Sequence, residues 1–197
     1  MSPLSAPESI LAVYDRATRA DRRAGREWYG KAHAWSERLA DRYQIPVSAA
    51  AGVIAALSPG LEWLRNVQDA YTLTLAWSRG EDIPTVGTYG RRNVQKAVDI
   101  LQGFEPLDIL GGHKVRSFYG NIIDPTNVVP VTIDRHAKSL ALSLASGRTG
   151  AASVDTIVTA SEYEGLAELY REAASRLHLV PNQLQAITWI AWKRLAE

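Results

Sequence analysis

The chain of 197 residues contains no cysteine. Disulfides, thiolate nucleophiles, Cys-type structural zinc and Cys-ligated iron–sulfur clusters are thereby excluded. Histidine is scarce as well. His33, His113, His136 and His178 are scattered, with no i,i+4 pair among them, so a metal site built on histidine is not expected. No apolar run approaches the ~20 residues needed to span a bilayer. The amino terminus, MSPLSAPESILAVYD, lacks the basic-then-apolar pattern of a secretory signal. A soluble protein of the cytoplasm is the expectation. Phenylalanine is nearly missing too, with two Phe against six Trp and eight Tyr. The aromatic content therefore sits on side chains with a polar handle, which suit a cleft wall as well as a core.

What is present suffices for a folded domain. Hydrophobic residues make up 46% and charged residues 22% of the chain, enough to build a core for one compact domain or two small helical lobes. The net charge of +1 is not that of a strongly basic nucleic-acid binder, but its distribution is uneven. Arg16, Arg19, Arg22, Arg23, Arg26 and Lys31 outnumber Asp15, Asp21 and Glu27. Residues 111–148 carry Lys114, Arg116, Arg135, Lys138 and Arg148 against Asp124 and Asp134, whereas 151–172 hold five acids and one Arg. Such segregation predicts one basic and one acidic face.

Helical periodicity dominates, and no segment alternates over strand length. Ser5 and Glu8 read as a capping box before a first helix. A second helix runs from about Asp21 to Tyr43 and stops before Ile45-Pro46. Ser48 is the expected cap of a helix from Ala49 to Leu57, apolar on every side and hence buried all round. Helices follow at 61–78 and 88–102, the latter ended by Gly103. One or two more lie in 151–178, and Pro181 opens a last helix to about Leu195. The stretch 104–134 differs, with Pro106, Gly111, Gly112, Pro125 and Pro130; it reads as short helices joined by tight turns. Within it Val128–Ile133 is expected to be an extended connector feeding a helix that begins at Asp134.

Two features of that stretch carry chemistry. Gly111-Gly112 followed by His113-Lys114 reads as a turn opening a helix, where outward backbone N–H groups accept phosphate, with Lys114 and Arg116 alongside. Twenty residues after Lys114 stands Asp134, in the run VTIDRHA. Taken alone, Asp134 is an N-cap, Lys114 a solvated lysine and the glycine pair a helix stop.

The segment resembles the helix–hairpin–helix DNA glycosylase superfamily. There, a glycine hairpin followed by Lys contacts the DNA backbone, and an Asp some twenty residues later, at a helix start, is catalytic. Lys114 and Asp134 match those two positions. The hairpin here reads GGHK instead of a G-apolar-G core with a basic pair. WYGKAHAW (28–35), AGVIAALSP (51–59), WLRN (63–66), VTIDRHA (131–137) and NQLQAITWIAWKR (182–194) further resemble a small prokaryotic and phage-associated branch that removes modified cytosines from phage DNA.

The resemblance implies an all-α fold of two helical lobes around a cleft, a central lobe of about 48–133 and a second of 1–47 with 134–197. It implies hydrolysis of the N-glycosidic bond of a flipped, hydroxymethylated or glucosylated cytosine in double-stranded DNA, by a monomer without cofactor or metal. Asp134 is the candidate catalytic carboxylate. Lys114 is a second candidate, as the Schiff-base amine of a glycosylase/lyase. Gly111, Gly112, His113, Lys114, Arg116 and Arg135 are candidates for the DNA backbone. Trp28, Tyr29, His33, Trp63, Asn66 and His136 are candidates for the base pocket, since a flipped base needs aromatic faces and hydrogen-bonding edges. Trp189 and Trp192 are expected in the core or at an interface, and Gln183 and Gln185 in solvent. Two other classes stay open: a catalytically silent DNA-binding module, and a protein-interaction factor using the Trp-rich last helix.

Overall fold

The computed structural model describes residues 7–88, 90–142 and 159–196. Its elements are α1 (Glu8–Asp15), α2 (Arg19–Tyr43), α3 (Val47–Leu57), α4 (Trp63–Ser78), α5 (Arg91–Leu101), α6 (Pro106–Ile109), α7 (His113–Ile123), α8 (Arg135–Ala141), α9 (Ala160–Arg176) and α10 (Pro181–Ala196). No strand occurs among the described residues, so the fold is all-α. None of their helices is long and apolar enough to cross a membrane.

The chain divides into two compact units, Met1–Tyr29 with Pro125–Glu197, and Gly30–Asp124. The divisions fall at 29 and 124 instead of near 47 and 133. In the second unit the later part of α2 supplies core residues of its own, Ala32, Leu39 and Ala40. The helix α3 is the axis of that unit. Its residues Ala49 to Leu57 are all buried, as an all-round apolar helix requires, and it touches α4, α5, α6 and α7. Small side chains let four neighbours approach one helix closely.

The first unit is built on α10, which touches α1, α8 and α9. Tyr170, Leu166, Ile10, Leu140, Ile133 and Ile187 fill its interior. The start of α2 packs on α10 so closely that a Cβ on Gly25 would stand 2.5 Å from the Ile187 backbone N and Cα. Only glycine fits there.

Several helix starts differ from expectation. Ser5 lies outside the described residues, and α1 starts at Glu8 with Pro7 before it. The second helix begins at Arg19, two residues early, because Thr18 and Asp21 form the capping box. The Thr18 N–H donates to Asp21 Oδ2 at 2.9 Å and the Asp21 N–H to Thr18 Oγ1 at 3.1 Å. Ser48 is inside α3 and no side chain caps it; Pro46 holds the cap position with an extended ψ of 145°. Proline fixes φ and needs no donor, which makes a start without a capping side chain affordable.

Asp21 does more than cap. Arg194 of α10 donates to its Oδ2 through Nε at 3.1 Å and Nη2 at 3.0 Å, and Nη2 also reaches the Arg16 carbonyl at 3.0 Å. Burial pushes the Asp21 carboxyl up, but the Thr18 amide and hydroxyl and the Arg194 guanidinium outweigh it and hold it below the ordinary carboxylate value.

Two outcomes follow. Gly25→Ala gains about 1 kcal/mol of helix propensity but overpacks against backbone that no rotamer change can move aside, at about 1–3 kcal/mol or more. A lowered urea midpoint is expected, and an unchanged or raised one would refute the close approach. Because the Asp21 pKa is lowered on folding, its stabilisation is present above the unfolded carboxylate value of ~3.9 and is lost as pH falls through the folded value. Asp21→Asn should therefore weaken the fold at neutral pH and reduce the loss of stability on acidification below about pH 4, measured by denaturation across pH.

Candidate active site

The run 127–134 belongs to no helix, bends at Val128 and Val129, and has no strand beside it among the described residues. Where it is buried, at Val131–Ile133, side chains must therefore satisfy its backbone. The Val129 N–H donates to Asn127 Oδ1 at 2.9 Å, and the Val129 carbonyl accepts from Arg171 Nη1 at 2.9 Å. The Tyr163 hydroxyl of α9 donates to the Val131 carbonyl at 2.7 Å and accepts the Ile133 N–H at 3.1 Å. Pro130 has no N–H to satisfy. Val131 and Ile133 point into the core of the first unit, and alternation turns Thr132 and Asp134 the other way.

Asp134 holds the N-cap of α8. Its Oδ1 accepts the Ala137 N–H at 2.8 Å, as a cap does. Its Oδ2 accepts the indole N–H of Trp189 in α10 at 3.2 Å. The carboxylate is thus gripped by two elements, and each oxygen keeps a lone pair for a further partner. It is half-buried, shielded on one side and within reach on the other.

The groups around it form a polar seam on α10. The Tyr29 hydroxyl stands 3.0 Å from Thr132 Oγ1 and 3.2 Å from Gln185 Oε1, its single proton free to serve either. Gln185 and Trp189 are four apart on α10 and so share a face. Asn182, three residues earlier, donates to the Pro125 carbonyl at 3.0 Å. His136 meets the Trp189 ring edge-on at 6.3 Å, and the Lys193 ammonium lies 4.5 Å from the same ring's centroid. Trp28 meets Tyr29 edge-on at 4.7 Å. Behind Asp134 the Tyr170 hydroxyl is fully buried. Burial pushes its pKa up, Thr188 opposes the rise and the Asp134 charge adds to it.

Of the candidate site residues, Asp134, Arg135, His136, Trp28 and Tyr29 belong to this unit. Arg135 is exposed, its Nε 3.4 Å from His136 Nε2. Tyr29 is buried, and its hydroxyl, not its face, meets the seam. One expectation is corrected: Gln185 is buried and bonded where solvent was expected. Trp189 is half-buried and binds Asp134. Trp192 is in the core, and Gln183 reaches back to the Val180 N–H at 3.4 Å. The i,i+4 pair of Gln185 and Trp189 was the available signal; the residues facing it were not.

The other candidates belong to the second unit. The short helix α6, the turn Leu110–Gly112 and α7 follow one another, with Gly112 at φ +78° opening α7. That left-handed conformation favours glycine. Gly111, Gly112, His113, Lys114 and Arg116 are exposed, and the Lys96 ammonium lies 3.3 Å from where a Gly111 Cβ would stand. His33 is occupied, with Nδ1 2.9 Å from the Ile122 carbonyl and Nε2 3.6 Å from Glu37. Trp63 packs edge-on against Phe118 at 6.5 Å. Asn66 is buried, and its Oδ1 has no partner among the described residues. Among those residues no three His, Asp or Glu side chains are grouped to hold a metal.

The sequence model of one family, described as a family of unknown function (DUF7178), matches residues 4–196. No curated protein and no solved structure matches the chain.

Tyr163 tests the logic of the seam. Tyr163→Phe keeps the ring but strands a buried carbonyl and a buried N–H, each costing about 1–3 kcal/mol. A lowered denaturation midpoint and faster hydrogen exchange of the Ile133 amide are expected. Unchanged exchange at Ile133 would show that the segment is held by something else.

Proposed function

The chain belongs to that family of unknown function, and from its own residues we propose that it is a DNA N-glycosylase that hydrolyses the bond between C1′ and a flipped, modified cytosine. One observation carries the reading: Asp134 offers a carboxylate whose two oxygens are fixed by N–H groups from two different elements. A cap needs one oxygen only. The second bond gives the carboxylate a fixed orientation, which capping does not require and charge stabilisation does.

The reaction is balanced without a cofactor. The C1′–N bond breaks with its electron pair leaving on the base, and the sugar gains oxocarbenium character. The Asp134 carboxylate stabilises that charge and takes a proton from water as the water oxygen bonds to C1′. The proton passes to the departing base, and an abasic site is left. The half-buried rings of Trp189, hydrogen-bonded to the carboxylate, and of His136 beside it supply faces for a base taken out of the stack, and Trp28 is a further half-buried ring of the same unit. In the second unit, exposed Lys114 and Arg116 beside the turn at Gly111-Gly112, with Lys96 against it, supply charge for the DNA backbone.

The chemistry and the DNA contact separate by mutation. Asp134→Asn retains the cap, since Asn and Asp cap about equally well, and should preserve fold and DNA affinity while slowing base release by at least ~100-fold. The freed base is followed by chromatography, so that strand breakage does not confuse the readout. Wild-type release by the Asn variant would make Asp134 a cap alone and place the chemistry on other residues. Lys114→Ala should weaken binding to all DNA sequences and flatten its salt dependence by roughly one unit of slope. Unchanged affinity and slope would remove the turn from the DNA interface.

A further inference from the structure

We propose that Trp189 is the positioning residue of this site, fixing the plane of the Asp134 carboxylate through its indole N–H; the proposal rests on the glycosylase reading above. Rotation about the Cβ–Cγ bond of Asp134 moves both carboxylate oxygens, and a single hydrogen bond, Oδ1 to the Ala137 N–H at 2.8 Å, tolerates a swing within its broad angular range. A second hydrogen bond, from the Trp189 N–H to Oδ2 at 3.2 Å, narrows that swing. A carboxylate free to turn spends time out of line with the sugar, and misplacement on the ångström scale costs rate, not binding.

The indole is suited to the task by how it is itself held. Trp189 is half-buried, so it is not a filler of the core as Trp192, three residues on, is. The Lys193 ammonium sits 4.5 Å from its ring centroid and His136 meets its edge at 6.3 Å with planes at 88°. A cation above the ring and an aromatic at its edge are both attractive arrangements for an indole. The helix carrying it is anchored to the segment leading into Asp134, at Asn182 by the Pro125 carbonyl and at Gln185 through Tyr29 and Thr132. Donor and acceptor are thus mounted on the same stitched assembly, within one compact unit, and a hydrogen bond between rigid mounts keeps its geometry when substrate arrives.

The contact and its kinetic effect are measured separately. With indole nitrogens labelled, the six Trp residues give six N–H resonances, and that of Trp189 is the one lost in Trp189→Phe. In Asp134→Asn the one amide oxygen that keeps the cap on the Ala137 N–H leaves the side-chain NH2, a donor, facing the indole. The Trp189 hydrogen bond is thus lost, and its indole proton should move upfield while the other five hold still. In single-turnover and steady-state assays Trp189→Phe, which keeps an aromatic ring and loses the donor, should lower kcat by roughly 10–100-fold with KM within about twofold. Trp189→His, which restores a ring N–H, should recover part of the loss; a purely structural role predicts no such recovery. An unmoved indole resonance in Asp134→Asn overturns the proposal, as does a wild-type kcat in Trp189→Phe. Should the Phe variant fold poorly, the resonance comparison still decides, because Asn retains the cap. A wild-type chain that excises no base refutes the glycosylase reading, whereas the resonance reports on the contact whichever way excision turns out.

Discussion

Extended backbone without a neighbouring strand has nowhere to send its amides and carbonyls, and burying them unpaired would cost more than the segment's apolar side chains return. The run 127–134, buried at Val131–Ile133, solves this with side chains. Tyr163 serves one carbonyl and one N–H, Arg171 a carbonyl, Asn127 an N–H, and Tyr29 the hydroxyl of Thr132. Asn127 is in the segment itself, but Tyr163 and Arg171 stand on α9 and Tyr29 on α2, so the segment reaches its position only when α2 and α9 are assembled around it. Asp134 stands at the end of that segment. Its location is thus a consequence of the assembly of the first unit and not of local helix propensity, and the chemistry proposed for it inherits that dependence.

The approach of α2 to α10 is the second condition. At Gly25 the two helices meet with no room for a side chain, and Tyr29, one turn on, is brought with its hydroxyl to Gln185. Arg194 fastens the far end of α10 to the capping box at Thr18 and Asp21. The first fixes helix separation, the second fixes register along the axis. Between them α10 is left with one orientation about its axis, the one that turns Asn182, Gln185 and Trp189 toward the connector.

How far the sequence disclosed this depends on which interactions are local. Helices, turns and the extended connector are written in periodicity, proline and glycine, and the expected all-α class and the buried helix at α3 agree with the structure. Helix starts were harder. Thr18 and Asp21 do carry a capping-box spacing, yet Asp21 alone drew the boundary, while a start set by Pro46 leaves no side-chain signature. Asp134 stood out because a cap is a local device. Its second partner did not, because a Trp on an apolar helix reads as core and nothing within a few residues of Trp189 marks it as a donor to a residue 55 positions away. Gln185 reads as solvated for the same reason: polar side chains in a first turn face water unless a distant hydroxyl such as that of Tyr29 claims them. The division of the candidate site residues between two units was likewise invisible, since α2 runs past the boundary at Tyr29 without a break in its helical pattern.

The proposed activity stands or falls on whether a base leaves the DNA. The direct measurement incubates the wild-type chain with double-stranded DNA carrying cytosine, hydroxymethylcytosine or glucosylated hydroxymethylcytosine, and quantifies both the freed base by mass spectrometry and the abasic sites by an aldehyde-reactive probe. The account predicts release of a modified cytosine, not of cytosine itself, with abasic sites appearing in equal number. Release of no base from any of the three, under conditions where the chain is folded and binds the DNA, would contradict it.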